Sequence, residues 1–152
     1  IGYAAGPKQI IQAMTNIQSQ STSNPTSIAQ KAAIEALTGP QDFIKSMRAE
    51  FEKRRTFLVQ ELNSISGMSC LMPVGAFYAF PNTAGLYGKS FKHTMISSSS
   101  ELALYLLEVA NVALVHGAAF GDDNHIRLSY ATSIQEIKKG VDRIRVALNR
   151  LS

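Results

Sequence analysis

Apolar residues recur along this chain first at the spacing of a helix and, beyond Gly67, at the spacing of a strand. Ile10, Ile11, Met14 and Ile17 follow Pro7, a first-turn residue, and predict a helix over 7–19. The polar run from Gln18 to Asn24 reads as a loop. Asn24-Pro25 then offers a cap and a first-turn proline for a second helix, carried by Ile28, Ala32, Ala36 and Leu37 as far as Gly39. A third helix, over about 40–65, is predicted by one stripe of Phe43, Ile44, Met47, Phe51, Leu58, Leu62 and Ile65.

After Gly67 the runs Met68 to Met72 and Ala76 to Phe80 read as a pair of strands around Pro73-Val74-Gly75. Residues 81–99 read as a long loop, and a loop of that length in a compact domain is either disordered or functional. Ser99 or Ser100 is expected to cap a helix through Leu102, Leu106, Leu107 and Val109. Val112 to Val115 then predicts a buried strand that ends at His116-Gly117. Past the turn Gly121 to Asn124, Ile126, Leu128 and Tyr130 alternate with Arg127 and Ser129, so the arginine faces away from the core. Ser133 and Glu136 form a capping box for a last helix with the stripe Ile134, Ile137, Val141, Ile144, Leu148 and Leu151.

This order predicts an α+β domain over 40–152, with a small, largely antiparallel sheet covered by helices. Residues 1–39 form two helices without a core partner of their own and are expected to belong to another domain. Composition adds limits. An apolar share of 45% is that of a globular protein, and the net charge of +4 comes from basic residues dispersed along predicted helices. Lys53, Arg54 and Arg55 point in successive directions on a helix, which argues for a solvated face and against nucleic acid. Cys70 stands alone, so an intramolecular disulfide and a cysteine metal cluster are excluded. It is expected to be a small core residue in a reducing, cytosolic setting. No apolar stretch approaches the roughly 18 residues of a membrane span, and the opening segment Ile1 to Pro7 lacks the pattern of a signal peptide. The chain opens on apolar residues as though in mid-domain.

Among residues that carry chemistry, Arg127 is the most informative. A planar, permanently charged fork emerging from a strand suits bidentate binding of a carboxylate, although from spacing alone a structural ion pair is the commoner reading. Gly88-Lys89-Ser90 invites a phosphate-loop reading, which fails because Thr83 stands where the first glycine is required. A flexible surface loop is expected there. His93, His116 and His125 have no metal-ligand spacing and are expected to be hydrogen-bonded residues of loops or strand ends.

Several segments taken in order carry a resemblance: Ile1-Gly2-Tyr3-Ala4-Ala5-Gly6-Pro7; Gln20-Ser21-Thr22-Ser23-Asn24-Pro25 with Ala29-Gln30; Pro73-Val74-Gly75-Ala76-Phe77-Tyr78; Gly117-Ala118-Ala119-Phe120-Gly121; and His125-Ile126-Arg127-Leu128-Ser129-Tyr130-Ala131. They look like consecutive landmarks of the class I/II aminotransferases, nearest to the bacterial-type aspartate enzymes, and cover essentially the whole chain. The resemblance implies the C-terminal part of an α/β, fold-type I transferase that uses pyridoxal 5'-phosphate. On that reading 1–39 ends the large domain and 40–152 is the small domain. It implies transfer of an amino group between an L-amino acid, aspartate or glutamate first, and a 2-oxo acid, in a cytoplasmic homodimer. Alanine, aromatic and kynurenine aminotransferases share the landmarks, and a non-catalytic binding module is the alternative of another class. Arg127 would bind the substrate α-carboxylate. Ser23 and Asn24 would lie near the cofactor phosphate of the neighbouring subunit. The Schiff-base lysine would fall before residue 1, so no catalytic residue and no metal ligand is expected within the chain.

Overall fold

A computed structural model describes residues 1–152 and resolves the chain into two compact units, Ile1–Lys45 and Ser46–Ser152. In the first, α1 (Lys8–Ser21) starts after Pro7 as expected. The second helix, α2 (Ser27–Thr38), starts later than the Asn24-Pro25 signal implies. Thr26 takes the cap, its hydroxyl accepting the Ala29 N–H at 3.4 Å, and Pro25 stays outside the helix. Neither helix buries a residue: Ile17 is 73% exposed and Ile28 83%.

The third helix, α3 (Asp42–Asn63), delivers Leu58, Val59 and Leu62 to the core of the second unit. The strands are short: β1 (Tyr78–Ala79), β2 (Ser90–Phe91), β3 (Thr94–Met95), β4 (Val115–His116) and β5 (Ile126–Ser129). Their order is β1-β5-β4 in one antiparallel sheet, with β2 and β3 forming a separate hairpin. Helices α4 (Ser99–Ala110) and α5 (Ile134–Leu148) complete the unit. Leu102 and Leu106 of α4, Val141 and Ile144 of α5, and Ala79, Ile126 and Leu128 from the sheet all join one buried cluster. The Tyr105 hydroxyl ties α4 to α5 by donating to the Ala147 carbonyl at 2.7 Å. The fold is the α+β arrangement with an antiparallel sheet that the element order predicts.

Four local expectations are corrected. Met68 to Met72 and Ala76 to Phe80 do not pair as a hairpin, because the Asn63 side chain takes both backbone groups of Cys70, accepting its N–H at 2.7 Å and donating to its carbonyl at 3.0 Å. Only Ser69 bridges, to Asn82, and β1 pairs with β5 instead. Residues 81–99 are not a flexible loop. Thr83, Leu86 and Ile96 are buried, and the β2–β3 hairpin turns through Lys92 at φ 55°. Ser98, not Ser99 or Ser100, caps α4, its hydroxyl accepting the Glu101 N–H at 3.2 Å. The strand expected from Val112 begins only at Val115. Asn111 closes α4 in the left-handed conformation, and the Val112 N–H still donates to Leu106, so these residues belong to the helix end. At α5 the expected cap is present, with the Ser133 hydroxyl accepting the Glu136 N–H at 3.3 Å.

Candidate functional site

Period-two geometry sends Ile126 and Leu128 inward and Arg127 outward, where β5 lies between β1 and β4. The register pairs Tyr78 with Ser129 and Val115 with Arg127, so these side chains share the outer face of the sheet. Asn82 opposite His125 continues the β1–β5 register and sets Phe80 across from Arg127.

The guanidinium of Arg127 lies 4.3 Å from the ring centre of Tyr78 and 4.3 Å from that of Phe120. It forms no ion pair and no hydrogen bond within the chain. The structural ion pair that spacing alone favours is therefore absent within this chain, where the guanidinium on a partly exposed strand meets aromatic rings instead. The aromatic surround continues: Phe120 meets Phe80 edge-on at 6.2 Å, and Phe80 stacks on His125 at 4.8 Å with 11° between the planes. A cavity of about 410 Å³ opens along this face, lined by Tyr78, Phe80 and His125 with Ser69 and Asn82.

Phe120 reaches Arg127 through a tight single-turn helix, Gly117–Phe120, followed by Gly121 in the left-handed conformation at φ 84°. Gly117 donates its N–H to the His125 carbonyl at 2.8 Å, and a Cβ at this position would overlap the carbonyl oxygens of both Asp122 and His125. The chain can pass here only as glycine. The landmark Gly117-Ala118-Ala119-Phe120-Gly121 thus acquires a physical reading that its sequence alone does not supply.

The histidines do not form a site. No group of metal-ligating side chains is present. His125 Nδ1 lies 2.9 Å from Asp122 Oδ2 without the alignment of a hydrogen bond, and that contact, followed by the Asn124 N–H, holds the Asp122 carboxyl below its usual value. His116 Nδ1 is buried without a hydrogen-bond partner, contrary to the expectation of a satisfied strand-end residue. Cys70 is buried as expected, and burial pushes its thiol up. Lys89-Ser90 leads into β2, and with no helix behind it the phosphate-loop geometry is absent. In the other unit Ser23 sits at φ 61° in the exposed α1–α2 loop, and the Asn24 side-chain amide donates to the Pro25 carbonyl at 3.1 Å. Tyr78 and Phe120 are the site residues that sequence reading missed. Each stands in one of the landmark segments, but nothing in the spacing says that both rings converge on one arginine.

The family profile "Aminotransferase class I and II" matches residues 1–144. An aspartate aminotransferase of Rhizobium meliloti is 48% identical over all of this chain, which covers 37% of that relative. An aspartate/prephenate aminotransferase of Cereibacter sphaeroides is also 48% identical over the whole chain, here covering 38% of the relative. The crystal structure of an aspartate aminotransferase from Rhizobium meliloti superimposes with a TM-score of 0.95 at 47% identity, over 99% of this chain and 38% of that one. The chain thus spans well under half the length of the proteins it matches.

Proposed function

Because the chain belongs to the aminotransferase class I and II family, we propose that it forms the C-terminal part of an enzyme moving an amino group from an L-amino acid to a 2-oxo acid. Aspartate and glutamate are the first candidate donors. Prephenate, named for the Cereibacter relative, is a further 2-oxo acid to try as acceptor. Residues 1–39 end the large domain, 40–152 form the small domain, and the working enzyme is a cytoplasmic homodimer.

The observation that carries this reading is the guanidinium of Arg127 on the outer face of the sheet, set against the rings of Tyr78 and Phe120 and without an acidic partner in this chain. Its fork presents parallel N–H donors to the substrate α-carboxylate, which fixes the amino acid at one end and sets the direction of its Cα–H bond. Closure of the small domain excludes water while the proton moves. Pyridoxal 5'-phosphate, when bound, supplies the electron sink that makes that proton acidic. The α1–α2 loop fits a minor share in holding it. The Ser23 hydroxyl and the Asn24 amide are exposed, neutral donors able to hydrogen-bond a phosphate of the neighbouring subunit. The cofactor-bearing lysine is assigned outside these residues, so the 152-residue chain alone is expected to be inert.

In the complete enzyme, Arg127→Ala should lower kcat/KM for a free amino acid by about 30-fold to several thousand-fold, the loss of roughly 2–5 kcal/mol from a charge-assisted contact. Arg127→Lys should recover little, since a point charge does not reproduce the fork. The cofactor absorption spectrum should stay at its parental form in both variants. Near-parental efficiency of Arg127→Ala, or outright loss of the cofactor, would remove Arg127 from the role of carboxylate anchor.

A further inference from the structure

We propose that Tyr78 and Phe120 are positioning residues that set the Arg127 fork for its carboxylate, an inference that rests on the reading of Arg127 as the anchor. An arginine side chain is long and flexible, and the common way to fix one is an ion pair. Such a pair would occupy the N–H donors and compete with the incoming carboxylate. Within this chain Arg127 is held differently. Its guanidinium carbon is 4.3 Å from two ring centres contributed by different segments, Tyr78 on β1 and Phe120 on the Gly117–Phe120 turn. Ring faces attract a flat cation through its face and leave the N–H groups along its edge available.

The rings are themselves held. Phe120 contacts Phe80 edge-on at 6.2 Å, and Tyr78 packs against Phe77 at 4.4 Å. Although Phe120 is 47% exposed, the backbone beneath it is tied down. Gly121 donates its N–H to the Ala118 carbonyl at 3.1 Å, and Asp122 donates to the Gly117 carbonyl at 3.2 Å. Orientation of the fork is thus prepared before the ligand arrives, which lowers the ordering cost of binding.

The test uses the holoenzyme with Phe120→Leu and Tyr78→Leu, beside the ring-preserving Phe120→Tyr and Tyr78→Phe. The readouts are the Kd of a non-reacting dicarboxylate and the separate values of KM and kcat. Each leucine variant should raise Kd and KM by about two- to thirty-fold, the range for one cation–π contact, with kcat near parental. The ring-preserving variants should bind as the parent does. In an Arg127→Lys background the same leucine changes should cost less, because an ammonium has no flat face to lay against a ring. A second readout needs no activity: in the 152-residue chain, the Arg127 Nε–H resonance should be shifted upfield by the rings and should move toward the free-arginine position in each leucine variant. Parental Kd in both leucine variants, while Arg127→Ala loses binding, overturns the positioning role alone. Unchanged binding in Arg127→Ala overturns the anchor reading and this inference with it. A parallel fall in kcat, KM unchanged and thermal stability lowered, assigns the rings a purely structural role and also overturns it.

Discussion

Asp123 accepts two hydrogen bonds from Ser99, one from its N–H at 3.0 Å and one from its hydroxyl at 2.5 Å, across 24 positions of sequence. The same hydroxyl accepts the Ala118 N–H at 3.2 Å. One carboxylate therefore joins the start of α4 to the turn that carries Phe120, around a serine with no exposed surface. Asp123→Ala should leave the Ser99 donors without their acceptor and cost about 1–3 kcal/mol of unfolding free energy. Denaturant titration of the chain checks it, and a midpoint equal to the parent's would show the bond to be dispensable.

Two glycines should respond to alanine with opposite signs. At Gly117 the added carbon meets the carbonyls of Asp122 and His125, backbone that cannot rotate away, so Gly117→Ala should destabilise by about 3 kcal/mol or more. At Gly140, within α5, nothing lies within 4 Å of the added carbon. Gly140→Ala should therefore stabilise by about 0.5–1 kcal/mol through helix propensity and lost freedom of the unfolded chain. Thermal unfolding of the pair decides both.

Acid should weaken the fold through Glu101 and Asp122. The Ser97 hydroxyl, at 2.7 Å, and then the Ser97 N–H, at 2.6 Å, hold the Glu101 carboxyl below its ordinary value of 4.5. Asp122, beside His125, is held below 3.8. A depressed carboxyl stabilises the fold above its unfolded value, and that contribution disappears as pH falls through the lower, folded value. The denaturation midpoint should therefore fall below about pH 4.5, and Glu101→Gln should reduce the slope. An identical slope in the variant would acquit Glu101.

Helices α1 and α2 should exchange their amide hydrogens quickly in the 152-residue chain. Neither buries a residue, and helices of 14 and 12 residues without packing are marginal in water. Helix α5, with Ile137, Val141, Ile144 and Leu148 buried, should be the slow reference. Equal protection of α1 and α5 in an exchange experiment would contradict this.

Local pattern alone determined the helices, the antiparallel α+β order and the outward face of Arg127. These follow from side-chain period and from caps such as Ser133, and both act over a few residues. The strand partners lay beyond that range. Met68 to Met72 has strand composition, yet the Asn63 side chain claims Cys70, and β1 finds β5 about 50 residues away. Segment 81–99 has the composition of a loop, yet Leu86 and Ile96 bury themselves in the core. The state of Arg127 was likewise a tertiary matter. Strand alternation says only that the guanidinium faces outward. Whether it meets a carboxylate or two aromatic rings depends on a register with β1 and on a glycine turn that brings Phe120 over it, because charge pairing and ring contact are decided by distance in space.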